Sequence, residues 1–362
     1  MSTTETSSSR ARNWAVLTVI GLVVLVCLGW SGAWVYAANR VEKELDAWMA
    51  REAKAGRIWD CAERGLSGFP FRLELNCTTP SLDMQSGEPL RMTATSARAI
   101  SQVWSPNQIV TDIQQPARIE NKETGEVLGL TWQHLQVLGA GMTSGRPESF
   151  AVTAEKPELT LLEGPAQNDG APPSPLFSAA SLNVSAHTQK GAGPNATGAL
   201  DDVAYALTLS GAQLPLLTQF GSNGPIDVSM KGVVTAAANL RPMPLEERLR
   251  AWADAKGLLR LEQLTVISPD IIAAATGVVS LNPQGQLNGA VDLSFAGVQK
   301  LIQKLGQAGV IPPQMAPIVG AVTMVGRPTQ IEGRKAVTFP LSFKDGSLRL
   351  SGLPVGRVPS AF

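Results

Sequence analysis

From Trp14 to Ala38 the chain reads WAVLTVIGLVVLVCLGWSGAWVYAA, without a single charged residue. At about 1.5 Å per residue a helix of this length reaches about 37 Å, more than the roughly 30 Å hydrocarbon core of a bilayer. A helix that is apolar all round belongs in lipid or deep inside a large core, so the rest of the chain is arranged around a membrane anchor. The flanks orient it. Arg10 and Arg12 adjoin its N-terminal end, whereas NRVEKELD after it mixes both signs. Positive-inside logic then predicts a cytoplasmic tail over 1–13, a single pass of the inner membrane over 14–38, and the bulk of the chain in the periplasm. Trp14 at one end and Trp30, Trp34 and Tyr36 near the other read as interfacial anchors. The competing reading is a cleaved signal peptide, with VYA ending at Ala37 as a loose cleavage site. The run exceeds the about 7–15 residues of a signal h-region, which favours a retained anchor. Cys27 follows Val26, not the small residue wanted before a lipidated cysteine, and reads as a membrane-facing thiol.

Beyond the anchor, Val41, Leu45, Trp48, Met49 and Ala53 share a helical face, so 39–56 is expected to be an amphipathic stalk ending at Gly56. The period then changes to two. Phe71, Leu73, Leu75 and Cys77 alternate with polar residues, and similar alternation returns at Leu90–Ala94, Leu128–Trp132, Phe150–Ala154, Val203–Leu209 and Ile226–Gly232. Two hairpins stand out, one turning over Asn282–Gln286 and one at Asp345-Gly346. Pro340 in the second suits an edge strand. Helices are short: Leu245–Lys256, Val298–Leu305 and a turn at Met315–Val319. The expected fold is mainly β with a few short helices: a transmembrane helix, then a curved antiparallel periplasmic domain. A first β-rich lobe over 57–162 and a second over 199–362 are separated by flexible loops or a linker over 163–198.

Lys plus Arg equals Asp plus Glu at 30 each, so no global field favours nucleic acid. Aromatics are only 5% of the chain, which leaves Leu, Val, Ile and Ala to build the apolar faces. Catalytic raw material is thin. His134 and His187 stand far apart, with no second ligand or carboxylate at motif spacing, and read as structural or solvated. No HExxH, CxxC, phosphate-binding loop, GxSxG or dinucleotide fingerprint occurs. GAGMTSG at Gly139–Gly145 opens no apolar-periodic helix and reads as a turn; Asp201 and Asp202 read as the solvated start of a strand. No cofactor, metal or catalytic residue is expected.

RIWDCAERGLSGFPFRLELNC, Arg57 to Cys77, is the densest stretch. In an exported chain Cys61 and Cys77 are expected to pair as a structural disulfide closing a loop of about 15 residues, worth roughly 3 kcal/mol in the chain-entropy model. Gly68 and Pro70 are turn-formers, and Phe69 and Phe71 core or groove aromatics. Arg72 is the open residue, either pairing with a carboxylate across the strand or meeting a lipid phosphate at a groove mouth.

The anchor, Cys61, the Gly68-Phe69-Pro70-Phe71-Arg72 run, Cys77 and the closing FKDGSLRLSGLPVGRVP resemble a bacterial envelope family, domain of unknown function family 2125. GVVSLNPQGQLNGAVDLSF is more loosely similar to the strand-turn-strand units of AsmA-like envelope proteins. The second likeness implies a long curved sheet with an apolar concave face, in proteins linked to lipid or outer-membrane homeostasis. The sequence therefore points to a non-catalytic envelope protein that binds or shields lipid, or scaffolds envelope assembly, with membrane lipid or envelope proteins as partners. The rival readings are an envelope hydrolase with a dispersed site and a purely structural partner-binding module.

Overall fold

A computed structural model of the chain describes residues 8–85, 89–141, 148–164, 173–189, 202–215, 224–237, 245–297 and 326–362, with single positions at 300, 303 and 306. Most of the helix expected over Val298–Leu305, all of that over Met315–Val319, and the glycine turn after Gly141 lie outside the described residues.

Anchor and stalk form one helix, α1 (Ser8–Lys54), about 70 Å long at 1.5 Å per residue. From Trp14 on it is long and apolar enough to cross a membrane, and none of its most apolar window is buried. It stops where Gly56 takes a left-handed φ of 78° and its N–H bonds back to Ala53.

Strands then follow in close succession. β1 (Arg57–Asp60), β2 (Glu63–Ser67), β3 (Arg72–Thr78) and β4 (Ser81–Met84) are short, while β5 (Leu90–Gln102) and β6 (Ser105–Asn121) are long. Next come β7 (Val127–Thr131), β8 (His134–Ala140), β9 (Ser149–Glu155), β10 (Glu158–Glu163), β11 (Ser174–Ser178), β12 (Ser181–Gln189), β13 (Asp202–Ala212) and β14 (Ile226–Val234). Helix α2 (Leu245–Asp254) precedes β15 (Leu259–Ile267), β16 (Ile272–Leu281), β17 (Leu287–Ala296), β18 (Arg327–Ile331), β19 (Arg334–Lys344), β20 (Ser347–Leu350) and β21 (Leu353–Arg357). Every pairing is antiparallel, as short connections between neighbours require.

The sheet forks. β5 and β6 are long enough to serve two ladders, with register breaks at Ala94/Ser96 and Ile100/Gln102. One end of the pair continues through β4 to β1 and through β7 and β10 to β11. The other end continues through β3 to β2, and through β8, β9, β12 and onward to β17, β19, β20 and β21. Trp132 seals the fork. It is buried, donates from Nε1 to the Ile113 carbonyl at 2.9 Å, and its backbone N–H bonds the Gln115 side chain at 3.2 Å. Within 163–198, β12 bonds β9 on one side and β13 on the other, so one ladder runs through both lobes. Residues 165–172 and 190–201 lie outside the described set.

Both expected hairpins form. Asn282 organises the first by accepting the N–H groups of Gln284 and Gln286 on its side-chain oxygen, and Asp345 and Gly346 turn the second with φ of 48° and 73°. Pro340 is not at an edge. Its carbonyl faces the seam where the outer neighbour of β19 changes from β18 to β20, accepting from Ser351 at 2.8 Å. A residue's N–H and C=O point the same way in a strand, so the missing N–H falls in that seam and no ladder bond is lost.

The register aligns side chains across twelve strands. One cross-strand row runs Leu75, Ala99, Thr111, Val137, Val152, Val184, Leu207, Met230, Leu264, Ala275, Leu293 and Phe339. The adjacent row, on the opposite face, runs Asn76, Arg98, Asp112, Gln136, Thr153, Asn183, Thr208, Ser229, Thr265, Ala274, Ser294 and Thr338. At about 4.8 Å between strands the two rows extend roughly 50 Å. Most members of the apolar row are only half-buried, and no large side chain among the described residues is fully buried. The fully covered exceptions are mostly alanines, with a small cluster at Ile272, Ala296 and Ala336.

Candidate functional site

The apolar row starts beside α1, the long apolar helix. Two indoles of α1 fix the sheet to it: Trp30 Nε1 donates to the Pro70 carbonyl at 2.9 Å, and Trp34 Nε1 to the Arg72 carbonyl at 3.1 Å. Their rings meet the GFPFR turn, Trp30 against Phe71 at 6.5 Å and Trp34 edge-on to Phe69 at 5.7 Å. Phe71 in turn contacts Trp104, at the β5–β6 turn, at 6.2 Å. Between helix and sheet runs an open groove of about 170 Å³ lined by Trp30, Trp34, Leu73 and Val103 among others. Its wall is overwhelmingly apolar. Apolar cavities near 150 Å³ stay dry and take benzene, so this one has room for the end of a hydrocarbon chain and not for a whole lipid.

Gly68 makes the turn possible. Its φ is +103°, and a Cβ there would sit 2.6 Å from the Arg72 carbonyl oxygen. The Arg72 N–H bonds back to Gly68 at 3.1 Å, and the Phe69–Pro70 peptide is cis. The turn leaves Phe69, Phe71 and Trp104 54%, 57% and 68% exposed, so the two phenylalanines are not core residues and lie against the indoles that line the groove. Cys61 and Cys77 are joined, with Cα atoms 5.6 Å apart, which ties the loop before β2 to the end of β3. Cys27 is free and exposed on α1.

Polar contacts hold the base of the stalk. Glu52 and Arg57 form a forked pair at 2.6 and 3.1 Å, Asp46 meets Arg64 at 2.8 Å, and Trp48 packs on Trp59. The Arg57 hydrogen bond holds the Glu52 carboxyl below the usual carboxylate range despite its desolvation. Glu74 is buried on the polar face between Arg98 at 2.7 Å and Arg72 at 3.3 Å. The Arg98 bond, with help from Asn76 and the charge of Arg72, likewise lowers its pKa against desolvation. Arg72 thus pairs along its own strand, while Arg98 is the cross-strand partner; half of the Arg72 side chain stays exposed. Farther along the apolar face, burial raises the Tyr205 phenol pKa, the mark of poorly hydrated surroundings.

Neither histidine joins this site. His134 Nε2 stands 3.8 Å from Asp112 on the open polar face, beyond hydrogen-bond reach, and His187 sits in β12 opposite Ala204 and Ser149. Asp202, read as solvated, is buried and accepts the Ala236 N–H at 3.1 Å. Sequence reading singled out Phe69, Phe71 and Arg72 but not Leu73 or Val103, which line the groove, nor Trp104, which contacts Phe71. β6 shows why: SPNQIVTDIQQPARIEN carries two prolines and switches neighbours midway, so it lacks the clean alternation that would have placed the turn before it. No curated protein matches the chain. Residues 34–359 match the family described as an uncharacterized protein conserved in bacteria (DUF2125), from the indole that bonds Arg72 to the end of the last strand, and the chain belongs to that family.

Proposed function

We propose that this chain is a non-catalytic, single-pass inner-membrane protein whose sheet stands in the periplasm and holds or shields lipid. The observation that carries the reading is the half-buried apolar row that begins at the anchor-side groove and continues for twelve strands. An apolar surface of this extent calls for a partner. No more than about a third of each Leu or Val in the row is exposed, so covering one with an acyl chain is worth roughly 0.5 kcal/mol, and the row repeats that gain strand after strand. The Cys61–Cys77 bond fits an oxidising compartment, and Arg10 and Arg12 before the span fit a cytoplasmic N-terminus.

The test uses the full chain in cells, with the photoreactive residue benzoylphenylalanine placed at Leu207 on the apolar row or at its neighbour Thr208 on the polar row. Radiolabelled phospholipid is expected on the chain after irradiation of the Leu207 variant and not of the Thr208 variant. Protein adducts alone at Leu207 would replace lipid holding by a partner-binding or scaffolding role. Adducts of neither kind would end the reading.

A further inference from the structure

The position of the aromatic turn along α1 carries a second conclusion. Counting up from Trp14, Trp34 lies about 30 Å along the helix, the thickness of the hydrocarbon core, and Trp30 about 6 Å short of it. Counting down from Arg40, the first charged residue after the span, Trp34 is about 9 Å and Trp30 about 15 Å below. Headgroup regions are about 5–8 Å deep, so both counts set Trp34 at the hydrocarbon boundary and Trp30 inside it. Pro70 and Phe71 are bound to Trp30, and Phe69 and the Arg72 carbonyl to Trp34. The turn therefore shares the depth of those indoles. Its outward surface, together with the β5–β6 turn that packs on it, is three exposed aromatic rings, Phe69, Phe71 and Trp104, of the kind that populates membrane interfaces. The nearest ion pair, Arg72 with Glu74, faces back along β3.

We infer that the Phe69–Phe71 turn and Trp104 form a second membrane contact, inserted into the leaflet from which α1 emerges. The groove behind them then opens directly onto acyl chains, which makes it the place where lipid meets the sheet. This inference rests on α1 spanning the bilayer, and not on lipid being held farther along the sheet. The partner is the bilayer itself: the rings continue the apolar surface of a helix already in it, and the two indole bonds keep them at that level.

The experiment labels single cysteines in full-length protein carrying Cys27→Ser, with the Cys61–Cys77 bond intact. An environment-sensitive fluorophore is attached at Trp104→Cys, at Phe69→Cys as an independent second site, at Leu22→Cys in mid-span and at Thr153→Cys on the polar face. Each protein is placed in phosphatidylcholine nanodiscs, with a doxyl group near the head of one acyl chain, with one near the chain's end to report on Leu22, or without either. Labels at 104 and 69 are expected to be quenched by doxyl lipid several-fold more than the label at 153, and to be shielded from aqueous iodide. Iodide quenching at 104 and 69 equal to that at 153, with Leu22 still quenched by lipid, would overturn the insertion alone. Absence of lipid quenching at Leu22 would overturn the span and the insertion together, while the Leu207 crosslink reports separately on lipid along the sheet.

Discussion

Strand β3, beside α1, and strand β13, midway along the sheet, are held by different means. β3 ends in a disulfide, carries Glu74 clamped by two arginines, and offers the Arg72 carbonyl to an indole of α1. Its neighbour β2 pairs with it along Glu63–Ser67 and is an edge of the ladder among the described residues. β13 lies between β12 and β14 with long registers on both sides, and its apolar and polar side chains continue rows already set by its neighbours. In the middle of the sheet repetition suffices, because each strand completes the ladder and rows of the next. Beside α1 the repeat runs out, and covalent and charge-assisted links do the work that neighbouring strands do elsewhere.

The largest test of this contrast removes the disulfide. Cys61→Ala with Cys77→Ala is expected to cost β2 and β3 about 3 kcal/mol, or roughly a hundredfold faster amide exchange, and to leave β13 unchanged. Equal acceleration in both strands would erase the distinction. A smaller effect is expected from Gly68→Ala, which places a Cβ against the Arg72 carbonyl at a φ that L-residues avoid. A loss of about 1–2 kcal/mol should appear in exchange at β2 and β3, again without change at β13. The smallest effect is acid sensitivity. Glu52 and Glu74 have folded pKa values below the reference value of 4.5. Their contribution is therefore complete above the unfolded value and is lost as pH falls through the lower folded values. Exchange corrected for its intrinsic pH dependence should show the stalk base and β3 loosening at acid pH before β13 does; simultaneous loosening would count against the ion pairs.

Much of this was legible in the chain. The uncharged run gave the long helix, period-two alternation gave most strands, and the two cysteines outside the span gave the bond between them. What one sequence did not disclose was alignment. Val184 and Leu207 each read as an apolar residue in a strand, but their place in a row from Leu75 to Phe339 depends on successive registers between distant segments. The indole bonds are similar. Trp30 and Trp34 read as interfacial anchors, and nothing local announces that their N–H groups end on carbonyls of Pro70 and Arg72. Pro340 was misplaced for the same reason: a proline is judged by its ladder, and the seam between β18 and β20 exists only after the strands assemble.

The unbroken course of α1 from Ser8 to Lys54 makes helix and sheet a single lever. The indole bonds, the Asp46–Arg64 and Glu52–Arg57 pairs and the Trp48–Trp59 contact hold its C-terminal part, from Trp30 onward, to the strands. Transmembrane helices adjust their tilt to bilayer thickness, and a change of about 10° swings the far end of a roughly 50 Å sheet by about 9 Å. With α1 in the bilayer as proposed, the distance between the last strands and the membrane is geared to the thickness of the lipid around the helix.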